Sequence, residues 1–150
     1  MKLSDARSAL TSVFLAWPDL LVNLNVKRTG QEITWDGTRT MIGAGFSFDD
    51  LADAESAREF SFQATDGSIF QLWYLYASDG VKVEQATLAF LHASPYNPQD
   101  TSGHVPWVRF DYAPRIACGP THDVCHLHLS MSKEMRIPVS RIPNPAQFVE

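Results

Sequence analysis

The clearest structural pattern lies in residues 60–92, which read FSFQATDGSIFQLWYLYASDGVKVEQATLAFLH. Apolar and polar residues alternate along three runs, and a period of two is typical of half-buried β-strands. Asp66-Gly67 and Asp79-Gly80 separate the runs. Asp-Gly favours a tight hairpin turn, because glycine readily adopts the left-handed backbone conformation that such turns need. The segment therefore predicts a meander of three antiparallel strands.

The flanking sequence predicts further elements of the same sheet. Residues 1–18 predict a helix, since apolar residues recur at helical spacing until Pro18. Residues 21–36 alternate around Thr29-Gly30 and predict a hairpin. The C-terminal strands are predicted within residues 105–139.

Two short helices complete the prediction. Residues 49–58 are rich in Asp, Glu and Ala and predict a short acidic helix. Asn144-Pro145 is a favourable helix start, so a short C-terminal helix is expected there. We therefore predict a single α+β domain over residues 1–150. It is a twisted antiparallel sheet of six to eight strands with an N-terminal helix and a short C-terminal helix.

The composition is that of a folded protein without a membrane segment. Of the 150 residues, 45% are hydrophobic and 19% are charged, which is ordinary for a globular domain. No apolar run reaches the roughly 20 residues of a membrane helix, and the N-terminus lacks the layout of a signal peptide. We expect a cytoplasmic protein, with Cys118 and Cys125 as free thiols.

The charge distribution bears on the choice of partner. A net charge of −5 argues against a protein that coats nucleic acid, since phosphate binding depends on Lys and Arg. Residues 104–150, however, carry five basic and four acidic side chains together with four of the five histidines. An anionic partner would therefore meet the C-terminal third of the chain.

Candidate functional residues occur on the predicted C-terminal strands. Alternate residues of a strand face opposite sides. If the apolar sets face the core and the strands are neighbours, the polar sets share one solvent-exposed face. The members of that shared set are Arg109, Asp111, His126, His128 and Arg136, and His122 is the next candidate.

Three interpretations of this set are open. The first is a solvated sheet face with cross-strand charge pairs. The second is a metal site, since His126 and His128 project in one direction and Asp111 or His122 could complete it. The third is acid–base chemistry on an anionic substrate without metal or cofactor, because histidine exchanges protons near neutral pH.

The third interpretation assigns roles to single residues. His126 acts as acid or base and Asp111 orients it, while Arg109 and Arg136 hold a phosphate. Trp107 and His128 are expected to contact the substrate, which would be RNA or a phosphate-bearing small molecule. The alternative function is a non-catalytic module that docks on a larger protein or on a second copy of the chain.

Several stretches also resemble a known family, in the same order and with matching spacing. They are Asp66-Gly67-Ser68-Ile69-Phe70-Gln71, Leu88-Ala89-Phe90, Val108-Arg109-Phe110-Asp111-Tyr112, His122, His126-Leu127, Arg136-Ile137-Pro138-Val139 and Asn144-Pro145 with Phe148. From about residue 60 onward the chain thus resembles family 2290 of the bacterial domains of unknown function.

The resemblance implies a bacterial or phage-borne cytoplasmic protein from accessory gene neighbourhoods, with defence among the roles to consider. It brings no reaction with it. Similar proteins run on past Phe148 into an apolar helix, so a longer natural chain is expected. They do not usually have histidine at position 128. Arg109, Asp111, His126 and Arg136 therefore rank above His128 as site residues.

Overall fold

The computed structural model describes residues 2–27, 30–35, 46–95, 103–114, 124–129 and 136–138. Their secondary structure consists of α1 (Leu3–Ala16), β1 (Leu21–Leu24), β2 (Glu32–Ile33), α2 (Phe48–Ser56), β3 (Phe62–Ala64), β4 (Ile69–Tyr76), β5 (Val83–Leu91), β6 (Trp107–Tyr112), β7 (Cys125–Leu129) and β8 (Arg136–Pro138). Neither of these helices has the length and apolar character required to cross a bilayer.

The strands form one antiparallel sheet in the order β1-β3-β4-β5-β6-β7-β8, and β2 pairs with β4 beside this path. The predicted α+β class is confirmed, and the eight strands fall within the predicted number. α1 is the predicted N-terminal helix, and α2 is the second short helix. The predicted C-terminal helix lies outside the described residues.

The two Asp-Gly turns join β3 to β4 and β4 to β5. Gly67 and Gly80 have φ angles of 87° and 65°, a region in which a Cβ atom would clash with the backbone. The Asp66 carboxylate accepts a 2.8 Å hydrogen bond from the Ser68 N–H. Local side-chain chemistry therefore fixes the turn between β3 and β4.

The predicted hairpin over residues 21–36 is wrong in its pairing. β1 pairs with β3, and β2 pairs with β4. A backbone hydrogen bond from the Lys27 N–H to the Thr34 carbonyl, 2.7 Å long, connects the two segments. Alternation identified the strands here, but longer-range packing selected their partners.

A helix packs against each face of the sheet. On the α1 face, Leu10 and Val13 of the helix share a buried cluster with Leu72 and Tyr74 of β4. On the α2 face, Leu51 and Ala54 of the helix pack with residues of three strands, namely Ile69, Ala89, Leu91 and Trp107. The α2 face also carries the polar residues described below.

A capping box begins α2. The Ser47 hydroxyl accepts a 3.2 Å hydrogen bond from the Asp50 N–H, and the Asp50 carboxylate accepts a 2.8 Å bond from the Ser47 N–H. The hydrogen bonds from Ser47 lower the pKa of Asp50 below 3.8. This cap satisfies N–H groups that would otherwise lack partners at the helix start.

Candidate functional site

The ladder between β6 and β7 brings four predicted site residues together. Arg109 lies opposite His128, and Asp111 lies opposite His126. Opposite residues of an antiparallel pair project to the same face. All four therefore lie on the α2 face, and we call them the Asp111 cluster.

The Asp111 carboxylate is the centre of this cluster. Its Oδ2 atom accepts one hydrogen bond of 2.9 Å from Arg109 Nε. The same oxygen forms an ion pair with Arg109 Nη2, also at 2.9 Å. The same oxygen lies 3.0 Å from His128 Nε2 and 3.8 Å from His126 Nε2. One carboxylate thus contacts one guanidinium group and faces two imidazole rings.

The two rings also contact each other, edge to face, with centroids 4.6 Å apart. Imidazole is the side chain that most often serves as general acid or base, and a neighbouring carboxylate can orient it. The cluster therefore has the groups needed for a proton relay.

The predicted solvent exposure of this face is wrong for the histidines. The side chains of His126 and His128 are only 3% and 10% exposed, whereas those of Arg109 and Asp111 are 21% and 16% exposed. Ile137, the apolar residue between Arg136 and Pro138 in β8, is exposed. Alternation shows which side chains share a face, but it does not show which face is covered. Arg109 and Asp111 form the accessible edge of the cluster.

Trp107 is buried and belongs to the apolar core under α2. The Arg109 guanidinium carbon lies 5.8 Å from the centre of its ring, within the range of a cation–π contact. Because two nitrogen atoms of Arg109 are directed at Asp111, its observed contacts are those of a residue that positions the carboxylate. Trp107 therefore packs against Arg109 from the core side of the cluster.

Of the two remaining candidates, Arg136 lies on a described strand and His122 does not. Arg136 lies opposite His128 in the ladder between β7 and β8. His122 lies outside the described residues, as does Cys118. Cys125 is a free, buried thiol. Burial raises its pKa above 9.0, with a smaller contribution from the negative charge of Asp111.

Thr87 is a site residue that the sequence did not indicate. It lies opposite Asp111 in the ladder between β5 and β6, and its hydroxyl donates a 2.9 Å hydrogen bond to Asp111 Oδ1. Both carboxylate oxygens are therefore held. The only signal in the sequence was a hydroxyl residue in an otherwise apolar run, and the strand pairing that gives it meaning joins distant segments.

Three members of the cluster have side chains that bind metal ions in proteins. The nearest donor atoms of Asp111, His126 and His128 all lie within 4.8 Å of one another. Imidazole nitrogen and carboxylate oxygen are common ligands of zinc and related ions. The geometry can thus accommodate either proton transfer or a metal ion, and Arg109 supplies positive charge beside both.

Comparison with known families assigns the chain to one of them. The sequence model described as "Uncharacterized conserved protein (DUF2290)" matches residues 20–150. The chain belongs to this family. The match confirms the resemblance noted from residue 60 onward and extends it toward the N-terminus, through β1 and α2. No curated protein and no solved structure matches the chain.

Proposed function

We propose that the Asp111 cluster is the catalytic site of a small bacterial or phage-borne effector that acts on RNA or another phosphate-bearing substrate. The reaction is acid–base chemistry that requires no metal. The observation that carries the proposal is that two imidazole rings contact each other beside one carboxylate. That carboxylate pairs with Arg109 and lies within 3.8 Å of both rings. Defence is the biological role that we consider first.

In RNA cleavage the reaction would proceed as follows. His126 accepts the proton of a 2′-hydroxyl, the 2′-oxygen attacks phosphorus, and the bond to the 5′-oxygen breaks. His128 donates a proton to the leaving oxygen, so the products are a 2′,3′-cyclic phosphate and a free 5′-hydroxyl. Proton transfer by positioned side chains contributes about 10²–10⁴-fold to such rates.

The other residues support this chemistry by position and charge. Asp111 orients the rings, and Thr87 and Arg109 hold its two oxygens. Arg136, next to His128 in the ladder, is the residue that we assign to the phosphate, because arginine pairs with phosphate through two parallel hydrogen bonds. The partly exposed edge formed by Arg109 and Asp111 is the side from which the substrate would enter.

The test is cleavage of short fluorescent RNA oligonucleotides in the presence of EDTA. We expect a cyclic phosphate product from the unchanged protein and at least a roughly hundredfold lower rate for His126→Ala and Arg136→Ala. His104→Ala is the matched control, because His104 is exposed and lies outside the cluster. Equal rates for His126→Ala and the control would exclude the mechanism, provided that circular dichroism shows both variants folded.

A second function is favoured by a different part of the molecule. Leu15 and Trp17 at the end of α1, with Leu20 and Val22, are large apolar side chains that are exposed. Two of them, Trp17 and Leu20, line a cavity of about 420 Å³ together with Phe70 and Phe90. Exposed apolar patches of this kind often mark protein interfaces. They support the alternative, a non-catalytic module that docks on a larger protein or on a second copy.

Sedimentation measurements test the alternative function. A second copy docked through this patch would give a dimer at micromolar concentration, and Leu20→Ser should dissociate it. A monomer that remains catalytically active would count against self-association. A dimer unaffected by Leu20→Ser would mean that the patch is not its interface.

A further inference from the structure

We propose that Asp111, His126 and His128 also form a binding site for one divalent transition metal ion, Zn²⁺ being the best suited, and that the bound ion inhibits the reaction proposed above. The metal site follows from the geometry of the three side chains. Only its inhibitory effect depends on the proposed function.

The distances between donor atoms are close to those of a metal centre. Ligand atoms about 2.0–2.2 Å from a zinc ion lie roughly 3–3.5 Å from one another. Asp111 Oδ2 lies 3.0 Å from His128 Nε2 and 3.8 Å from His126 Nε2. All three donor atoms lie within 4.8 Å of one another, so side-chain rotations of roughly 1 Å at each residue would bring them to the spacing of a zinc site.

The chemistry of the three donors selects the class of ion. Two imidazole nitrogens and one carboxylate suit Zn²⁺ and its neighbours in the first transition row, whereas Mg²⁺ and Ca²⁺ prefer oxygen ligands. Three protein ligands leave one coordination position open for water or an anion. The open position distinguishes this arrangement from a closed structural zinc site.

The surroundings of the ligands are those of a prepared site. His126 and His128 are each at least nine-tenths buried, and all three ligands stand on two strands paired in register. The carboxylate is oriented by hydrogen bonds from Thr87 and Arg109, as outer residues orient the ligands of natural metal sites. The positive charge of Arg109 partly neutralises the negative charge of Asp111. It therefore lowers the affinity of the site for a cation.

The inhibitory effect follows from the electron pairs that the ion uses. An imidazole nitrogen that binds a metal ion can no longer accept a proton. An ion held by His126 and His128 would remove the base and the acid together. We therefore expect Zn²⁺ at saturating concentration to abolish cleavage and EDTA to restore it.

The experiment measures binding before it measures activity. Protein stripped with chelator is titrated with Co²⁺, whose visible absorption reports coordination, and Zn²⁺ is then added in competition. We expect one ion per chain and at least a roughly tenfold loss of affinity for Asp111→Asn, His126→Gln and His128→Gln. The ion affinity of the His104→Gln variant should stay within about twofold of that of the unchanged protein.

A second measurement covers variants that fold poorly. Ions that bind the native state raise the unfolding temperature of the unchanged protein, so Zn²⁺ should stabilise it while Mg²⁺ should not. Absence of Co²⁺ bands together with no thermal shift by Zn²⁺ would overturn the metal site. Binding that survives all three substitutions would overturn it as well.

The activity assays separate the two proposals. Zn²⁺ binding by a protein that cleaves no RNA in any form would support the metal site and remove the proposed reaction. Cleavage in EDTA by a protein that binds no ion would support the proposed reaction and remove the metal site. Cleavage that requires Zn²⁺ would support the site, but it would refute both the metal-free mechanism and the inhibition.

Discussion

Replacing Asp111 by Asn removes the charge around which the cluster is organised while keeping the shape of the side chain. The Asn oxygen can still accept the hydrogen bond that Thr87 now donates to Oδ1. The Arg109 guanidinium, paired with Oδ2 through two nitrogen atoms at 2.9 Å, would lose its counter-charge. Arg109→Met, which keeps the aliphatic stem over Trp107, removes the pair from the other side.

The magnitude follows from the burial of the two side chains. Exposed ion pairs contribute about 0–1 kcal/mol, and breaking a fully buried pair costs about 3–5 kcal/mol. With side-chain exposures of 21% and 16%, the Arg109–Asp111 pair lies between these limits. We expect Asp111→Asn to lower the free energy of unfolding by about 2–3 kcal/mol, because hydrogen bonds to charged groups contribute about 1.5–3 kcal/mol.

Urea unfolding of the two single variants and the double variant measures the interaction directly. The coupling energy should be about 1–2 kcal/mol, since each single variant leaves one charged group without its partner. Asp53→Asn on the exposed side of α2 is the control and should change stability by less than about 0.5 kcal/mol. A coupling energy below about 0.3 kcal/mol would show that the pair is solvated and that the cluster is not preorganised.

Four further predictions concern the fold. Gly67→Ala should destabilise the protein by about 1–2 kcal/mol in urea, because φ is 87° at this position; Gly67→Asn should cost less, and equal costs would contradict the backbone explanation. Ser47→Ala should cost about 1 kcal/mol by loss of the α2 cap. Since the folded pKa of Asp50 is lowered from 3.8, its stabilising contribution is present above pH 3.8 and lost as the pH falls through the folded value. The stability difference between the unchanged protein and Asp50→Asn, from thermal unfolding at several pH values, should therefore disappear in that acidic range. In a Cys118→Ser background, the raised pKa and burial of Cys125 predict slow reaction with a thiol reagent at pH 7 and fast reaction in urea; fast reaction without urea would contradict the burial.

Local chemistry made part of the fold predictable. Asp66-Gly67 and Asp79-Gly80 determine turns through hydrogen bonds and backbone angles within a few residues, so β3, β4 and β5 could be assigned in order. β1 and β2 were also recognisable as strands. Their pairing was not predictable, because the edges of β3 and β4 compete with the hairpin, and that competition is decided by packing among distant residues.

The candidate site was predictable in membership but incompletely in environment. Period-two alternation placed Arg109, Asp111, His126 and His128 on one face, and the ladder between β6 and β7 has that arrangement. The burial of the histidines depends on what covers the sheet, a property that alternation within a strand cannot contain. Thr87 was missed because its pairing with Asp111 requires the register between β5 and β6, which separate segments of the chain establish.

That register has a consequence for natural variation. Thr87, Asp111 and His126 form one cross-strand row, and Ala89, Arg109 and His128 form the next. A residue inserted between Arg109 and Asp111 would turn one of them to the opposite side of the sheet, whereas added residues in the chain between β5 and β6 would leave both rows in place. Related proteins that share this chemistry should therefore differ freely in the length of that connection, while their β6 strands keep Arg and Asp two positions apart.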